Sequence, residues 1–170
     1  QFGTLHETAT VAAAARYGAA LASHDDTTAA QVDASHGHGV KLAEFPTTLE
    51  AAQTCHAMGI ATIMGAPNVI RGGSHSGNVA AIDLAQADRL DILSSDYVPA
   101  GLLMAALQLG DLWGNLARGI ATVTHAPALH SGLRDRGTLE IGMRADIIRF
   151  KRLDGLAILK ETWSAGQRVF

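Results

Sequence analysis

A chain of 170 residues, 48% of them hydrophobic and many of those alanine, is the size of one ordinary domain with enough apolar side chains for a core. The net charge of -3 gives no electrostatic case for nucleic acid as a partner, and no run of about 18 apolar residues marks a membrane span. The single cysteine, Cys55, excludes an intrachain disulfide framework and suits a reducing cytoplasm, which is the expected location.

Taken in order, "LHETATVAAAARY" (5–17) reads as an alanine-rich helix stopped by Gly18, and "AALAS" (19–23) as a short strand reaching His24. Residues 27–36 read as a second helix with Thr27 or Thr28 as N-cap. "VKLAEF" (40–45) is an apolar strand closed by Pro46. "TTLEAAQTCHAMG" (47–59) is a helix, capped by Thr47 with Glu50 completing a capping box and ended by Gly59. Cys55 on that helix reads as a small packed residue. "IATIMGAP" (60–67) is a strand, "VAAIDLAQADR" (79–89) a helix, "LDILSSD" (90–96) a strand, and "AGLLMAALQLGDLW" (100–113) an apolar-faced helix.

Between the third strand and its helix lies "APNVIRGGSHSGNVAA" (66–81), with an arginine, three glycines, two serines, a histidine, two asparagines and no acid. Such a loop suits an anion. The N–H groups of Gly72, Gly73 and Gly77 form a nest, Arg71 supplies a planar fork, and Ser74, Ser76 and Asn78 add donors.

Strand–helix alternation over 19–112 predicts a parallel α/β sheet or barrel. His24 with Asp25 and Asp26, Glu44, Asn68 and Asp96 then all fall just past strand C-terminal ends, the edge where ligands gather in α/β folds. The tail is different. "GTLEIGMRADIIRF" and "LAILKETWSAGQRVF" read as short strands joined by glycine turns, so the expected division is an α/β part at 1–136 and a small β unit at 137–170.

Four segments, "ALASHDDTT", "AEFPTTLEAA…MGAPNVIRGGSHSGNVAA", "DILSSDYVPAGLL" and "THAPALHSGLRDRGTLEIGMRAD", together resemble the C-terminal half of the phosphonate-metabolism branch of the amidohydrolase superfamily. The resemblance spans roughly residues 18–170. It implies the C-terminal part of a (β/α)₈ TIM barrel, expected as barrel strands six to eight, followed by strands of a small β-sandwich. A full barrel needs about 250 residues, so the missing half is expected to lie before this chain, whose first residue is Gln rather than Met.

The implied activity is metal-dependent hydrolysis of a phosphoric anhydride in the triphosphate of a ribose phosphonate, a diphosphatase step of the carbon–phosphorus lyase pathway. The implied cofactor is a divalent metal, zinc being expected, with one or two ions in the complete enzyme. By the resemblance His24 is a metal ligand on the sixth strand. Asp96 is an eighth-strand ligand that also takes the proton of the attacking water. Asp25 and Asp26 orient the histidine, contact ligand, or cap the next helix.

His75 is expected to act on a phosphate oxygen, Arg71, Gly72, Gly73, Ser74 and Asn78 to bind phosphate, and Glu44 to contact ribose hydroxyls. "HGH" (36–38) looks like a metal pair but falls at a helix end, where two solvated imidazoles are the better reading. His125 stands where the superfamily tail more often has asparagine. The expected partner is the phosphorylated ribose phosphonate, without nucleic acid or membrane. An open sheet edge favours a homo-oligomer. The alternatives are an amidohydrolase that cleaves a cyclic amide C–N bond, or a truncated phosphate-binding fragment that turns nothing over.

Overall fold

The computed structural model describes residues 2–170, so Gln1 lies outside it. Helix α1 (Phe2–Tyr17) is longer than expected at its start and leads to strand β1 (Ala22–His24). Helix α2 (Ala29–Gly37) follows, then β2 (Leu42–Glu44), α3 (Leu49–Ala57) and β3 (Ala61–Gly65). Two short helices, α4 (Ala66–Arg71) and α5 (Ala81–Gln86), lead to β4 (Ile92–Ser94). A 3₁₀ turn (Pro99–Gly101) opens α6 (Leu102–Leu112), which is followed by α7 (Leu116–Ala121) and α8 (His125–His130). The chain closes with β5 (Ile147–Leu153), β6 (Leu156–Ser164) and β7 (Gln167–Arg168).

Strands β1 to β4 form one parallel sheet in the order β1-β2-β3-β4. A monotonic order has no point where the winding reverses, which separates this sheet from doubly wound folds and matches the wall of a β/α barrel. All four strand segments read from the sequence form this sheet, one more than the three barrel strands, six to eight, that the resemblance implied. If Asp96 follows the eighth barrel strand, counting back places His24 on the fifth, not the sixth. The tail forms an antiparallel sheet, β5-β6-β7, held to α6 by the Arg152–Asp111 ion pair.

Local chemistry explains the element boundaries. Thr28 caps α2, with its side chain accepting from Gln31 N–H and the Gln31 side chain accepting in return. Thr48 rather than Thr47 caps α3, accepting from Ala51 N–H at 3.1 Å. Glu50 makes no capping box there; it accepts from Ala29 N–H instead.

The largest departure is at 66–71, read as loop and folded as α4. Pro67 in the first turn has its φ preset for a helix, and Gly72 closes the end at φ 75. Both signals stand in the sequence, but six residues give too little periodicity to outweigh the glycines that follow.

Most of the core lies on one face of the sheet, and a smaller cluster of Leu42, Ala61 and Ile92, with Ala126 of α8 against it, lies on the other. Met64, Leu93, Val69, Leu84, Ala105, Ala106 and Leu109 pack into one cluster joining β3 and β4 to α4, α5 and α6. Val32, Ala51, Cys55 and Ile60 form a second cluster under α2 and α3. Cys55 is fully buried, as expected, and burial, reinforced by Asp26, pushes its thiol up to about 11. No helix among the described residues is long and apolar enough to cross a membrane.

A candidate anion-binding cleft at the strand C-terminal edge

Three residues just beyond the strands adopt left-handed backbone: Asp25 (φ 60), Phe45 (φ 55) and Asp96 (φ 49). A non-glycine residue pays roughly 1–2 kcal/mol for that conformation, and such strain clusters at functional edges. Backbone bonds hold the first two in place, Asp25 N–H donating to Glu44 O and Phe45 N–H to Ile63 O. The loops above are then lashed together. Thr47 N–H donates to Asp26 O, the Thr47 hydroxyl to Thr27 Oγ1, and Val79 N–H to Thr47 O.

Under these loops lies a cavity of about 400 Å³. Arg71, Gly73, Ser74, His75, Ser76 and Asn78 line one side. Asp96 and Tyr97, following β4, line another, and Asp25 and Phe45 close it. Met64, Gly65, Pro67 and Asn68 come from the end of β3 and the start of α4. Most of the residues expected to touch the ligand therefore share one cavity.

Arg71 is one of four arginines, with Arg16, Arg89 and Arg134, that have no carboxylate partner among the described residues, and of these four it alone lines the cavity. Arg118, Arg136, Arg144, Arg149, Arg152 and Arg168 each stand within ion-pair distance of a carboxylate. Arg71 has no carboxylate partner among the described residues, and it faces the cavity with His75. A guanidinium kept free in a concave site is a ready fork for an oxyanion.

The nest is built differently from the expectation. Gly72 N–H is taken by Val69 O and Gly73 N–H by Asn68 O at 3.0 Å, both in closing α4. Neither is free to hold an anion, and Gly72 does not line the cavity. The N–H groups of His75, Gly77 and Asn78 have no intramolecular acceptor among the described residues, so the loop's donors lie further along it. At the start of α5, Ala81 N–H already donates to Asn68 Oδ1 at 2.9 Å.

His24 and Glu44 stand apart from the cavity lining. His24 Nδ1 is 3.0 Å from Asp25 Oδ2, its Nε2 is 3.8 Å from Glu44 Oε2, and its ring meets Phe45 edge-on at 5.3 Å. Asp26 is buried at 8% exposure and accepts from the Ser23 hydroxyl, which makes it a brace for the loop, and Thr28 rather than Asp26 caps α2. In the "HGH" run, His38 is paired with Glu7 at 3.2 Å rather than freely solvated. Tyr97, Phe45 and Asn68 were not singled out as site residues. Only the position of Asn68, just past a strand, marked it in the sequence.

No known protein-family profile matches the chain. It is 51% identical over 154 residues to alpha-D-ribose 1-methylphosphonate 5-triphosphate diphosphatase of Escherichia coli (strain K12), a match covering 89% of this chain and 41% of that protein. The chain is thus similar to that diphosphatase over less than half of the latter's length. Solved structures agree on the fold. A prolidase complexed with N-methylphosphonate-L-proline superposes with a TM-score of 0.71 at 16% identity, over 94% of this chain and 47% of its own. An amidohydrolase and the A. niger ochratoxinase each superpose at a TM-score of 0.64 and 17% identity over 93% of this chain, covering 46% and 43% of theirs. The chain thus has the fold of these enzymes' chains over part of their length.

The residues present do not complete a metal site. Among the described residues no group of three or more His, Cys, Asp or Glu side chains stands close enough to hold an ion. His24 ends β1 and Asp96 follows β4, the two edge strands of the four-stranded sheet, and of the two only Asp96 lines the cavity. A catalytic zinc takes three protein ligands plus water.

Proposed function

We propose that the protein carrying this chain hydrolyses alpha-D-ribose 1-methylphosphonate 5-triphosphate to the 5-phosphate and diphosphate, in phosphonate breakdown in the cytoplasm. Water adds across one phosphoric anhydride, so a site for it must hold a highly charged chain and accept one proton. The observation that carries the reading is that Arg71, unpaired by any described carboxylate, and Asp96 line the same cavity.

In this reading Arg71 and the loop N–H groups from His75 to Asn78 draw charge from the phosphate oxygens, the form of stabilisation that grows as the anhydride breaks. His75 donates to a phosphate oxygen, Ser74 and Asn78 orient the chain, and Asp96 receives the proton of the attacking water. Glu44 holds ribose hydroxyls at the far end. His24 and Asp96 contribute to a divalent-metal centre of one or two ions, zinc being expected, within a complete TIM barrel. That centre requires ligands beyond the described residues of this chain.

The deciding experiment assays the full-length protein for diphosphate release from the ribose phosphonate triphosphate, beside a nucleoside triphosphate and a cyclic imide. A metal count on the same sample accompanies it. Diphosphate release with a bound divalent ion is expected. Turnover of the imide alone would replace the reading with C–N hydrolysis, and no turnover at all would leave a phosphate-binding protein.

A further inference from the structure

The geometry points to Asn68 as a ligand-binding residue of this cleft, whose amino group donates to the anionic chain beside Arg71. The inference deepens the anion-binding reading above and rests on it.

Asn68 sits at the pivot of the glycine loop. Its backbone carbonyl accepts from Gly73 N–H at 3.0 Å, and its side-chain Oδ1 accepts from Ala81 N–H at 2.9 Å. One residue therefore ties down both ends of the loop that carries Ser74, His75 and Asn78. The second tie also fixes the amide's orientation. A backbone N–H is only a donor, so the atom facing it must be the carboxamide oxygen. Nδ2 then carries two N–H donors, and it has no acceptor among the described residues. It is not sealed in the core either, since it is absent from the buried polar atoms that lack a partner.

Asn68 lines the 400 Å³ cavity three residues before Arg71, on the same short helix. Residues three apart in a helix share a face. A neutral two-proton donor next to a planar cation suits an extended polyphosphate, whose neighbouring phosphoryl groups need several donors but not several full charges. It also explains the residue type. Aspartate would satisfy Ala81 N–H equally well but would place a negative charge in the anion site.

The test uses inorganic tripolyphosphate as probe and the full-length protein, with three variants. Asn68→Asp keeps the acceptor for Ala81 N–H and removes the donors, Asn68→Ala removes both, and Arg71→Ala reports on the anion site itself. Asn68→Asp is expected to keep the Ala81 amide protected from hydrogen exchange while losing at least tenfold in tripolyphosphate affinity. Asn68→Ala loses both. In the wild type, the Asn68 side-chain NH₂ resonances shift when tripolyphosphate is added. Wild-type affinity in Asn68→Asp overturns the inference, as do unmoved NH₂ resonances. If Arg71→Ala weakens the probe while Asn68→Asp does not, only the Asn68 role fails; if neither variant weakens it, the anion-binding reading fails as well.

Discussion

The Asp96 carboxylate lies over Gly65: a Cβ placed at Gly65 would stand 3.0 Å from Asp96 Oδ2, with Asp96 Cβ and Cγ the next nearest atoms. Gly65 ends β3 with a backbone that any residue can adopt, at φ -73, so its lack of a side chain is spatial. Asp96 in turn holds φ 49, which folds its side chain back toward the neighbouring strand. The bare backbone of one strand makes room for the carboxylate of the next.

Gly65→Ala should therefore displace Asp96 more than it disturbs the fold. The added methyl meets one mobile carboxylate, so the stability cost stays near the lower end of the 1–3 kcal/mol typical of overpacking. The expected result is a fall in kcat of about tenfold or more with KM nearly unchanged, measured on the full-length protein. A change in KM alone would place Asp96 in binding rather than in proton transfer.

Arg71→Ala should weaken triphosphate binding by roughly ten- to a hundredfold, since a charge-assisted contact contributes about 1.5–3 kcal/mol. Arg71→Lys should recover only part of this, because it restores the charge without the planar fork. Calorimetric titration with the triphosphate and with uncharged ribose checks the point. Equal loss for both ligands would mean that Arg71 shapes the loop rather than binding phosphate.

How far these residues could be read from sequence depends on range. The parallel α/β pattern, the antiparallel tail and the placement of Asp96 past a strand were all legible, because apolar strand runs and Gly or Pro punctuation are local signals. Arg71 was legible as a polar exception in an acid-free stretch. The cap at Thr48 was missed because adjacent threonines are equivalent in sequence; both hydroxyls donate to Thr27 on another loop, and only the Thr48 oxygen also accepts from the Ala51 N–H. The use of Gly73 N–H by Asn68, and the gap above Gly65, arise from through-space neighbours that no spacing reveals. The placement of His24 and Asp96 at the two edge strands likewise follows from strand order, not from either motif.

Gly119 marks the tightest contact between helices. A Cβ there would fall 2.3 Å from Ala106 O and 2.6 Å from Gly110 N, both backbone atoms of α6. No rotamer relieves a backbone clash, so Gly119→Ala should force α7 away from α6 at a cost of about 3 kcal/mol or more. For a chain of this size that lowers the Tm by roughly 6–12 °C. Gly114→Asn is the control: it meets no atom within 4 Å, and asparagine tolerates the left-handed φ of 59 better than other side chains. A melting curve for each variant decides it, and equal Tm values would mean that the helices part without cost.

At the opposite edge of the sheet, Asp91 links β4 to β3 and α3. Its Oδ2 accepts from Thr62 N–H at 2.8 Å and lies 2.8 Å from His56 Nε2, with His130 across a small cavity. Burial alone would raise the Asp91 pKa, but the His56 contact and the Thr62 N–H outweigh it and hold the carboxyl below its ordinary value. The folded pKa is thus depressed relative to the unfolded chain, where aspartate titrates near about 3.9. The stabilisation is fully present above that unfolded value and is lost as pH falls through the lower, folded one. Asp91→Asn should cost about 1–3 kcal/mol at neutral pH, since Thr62 N–H keeps at best a weaker acceptor and the charge beside His56 is gone. The gap between wild type and variant should hold steady down to about pH 5 and close toward pH 3. Urea unfolding at a series of pH values measures this gap directly. A gap that stays constant down to pH 3 would show that the carboxylate charge contributes nothing and that Asp91 acts through packing alone.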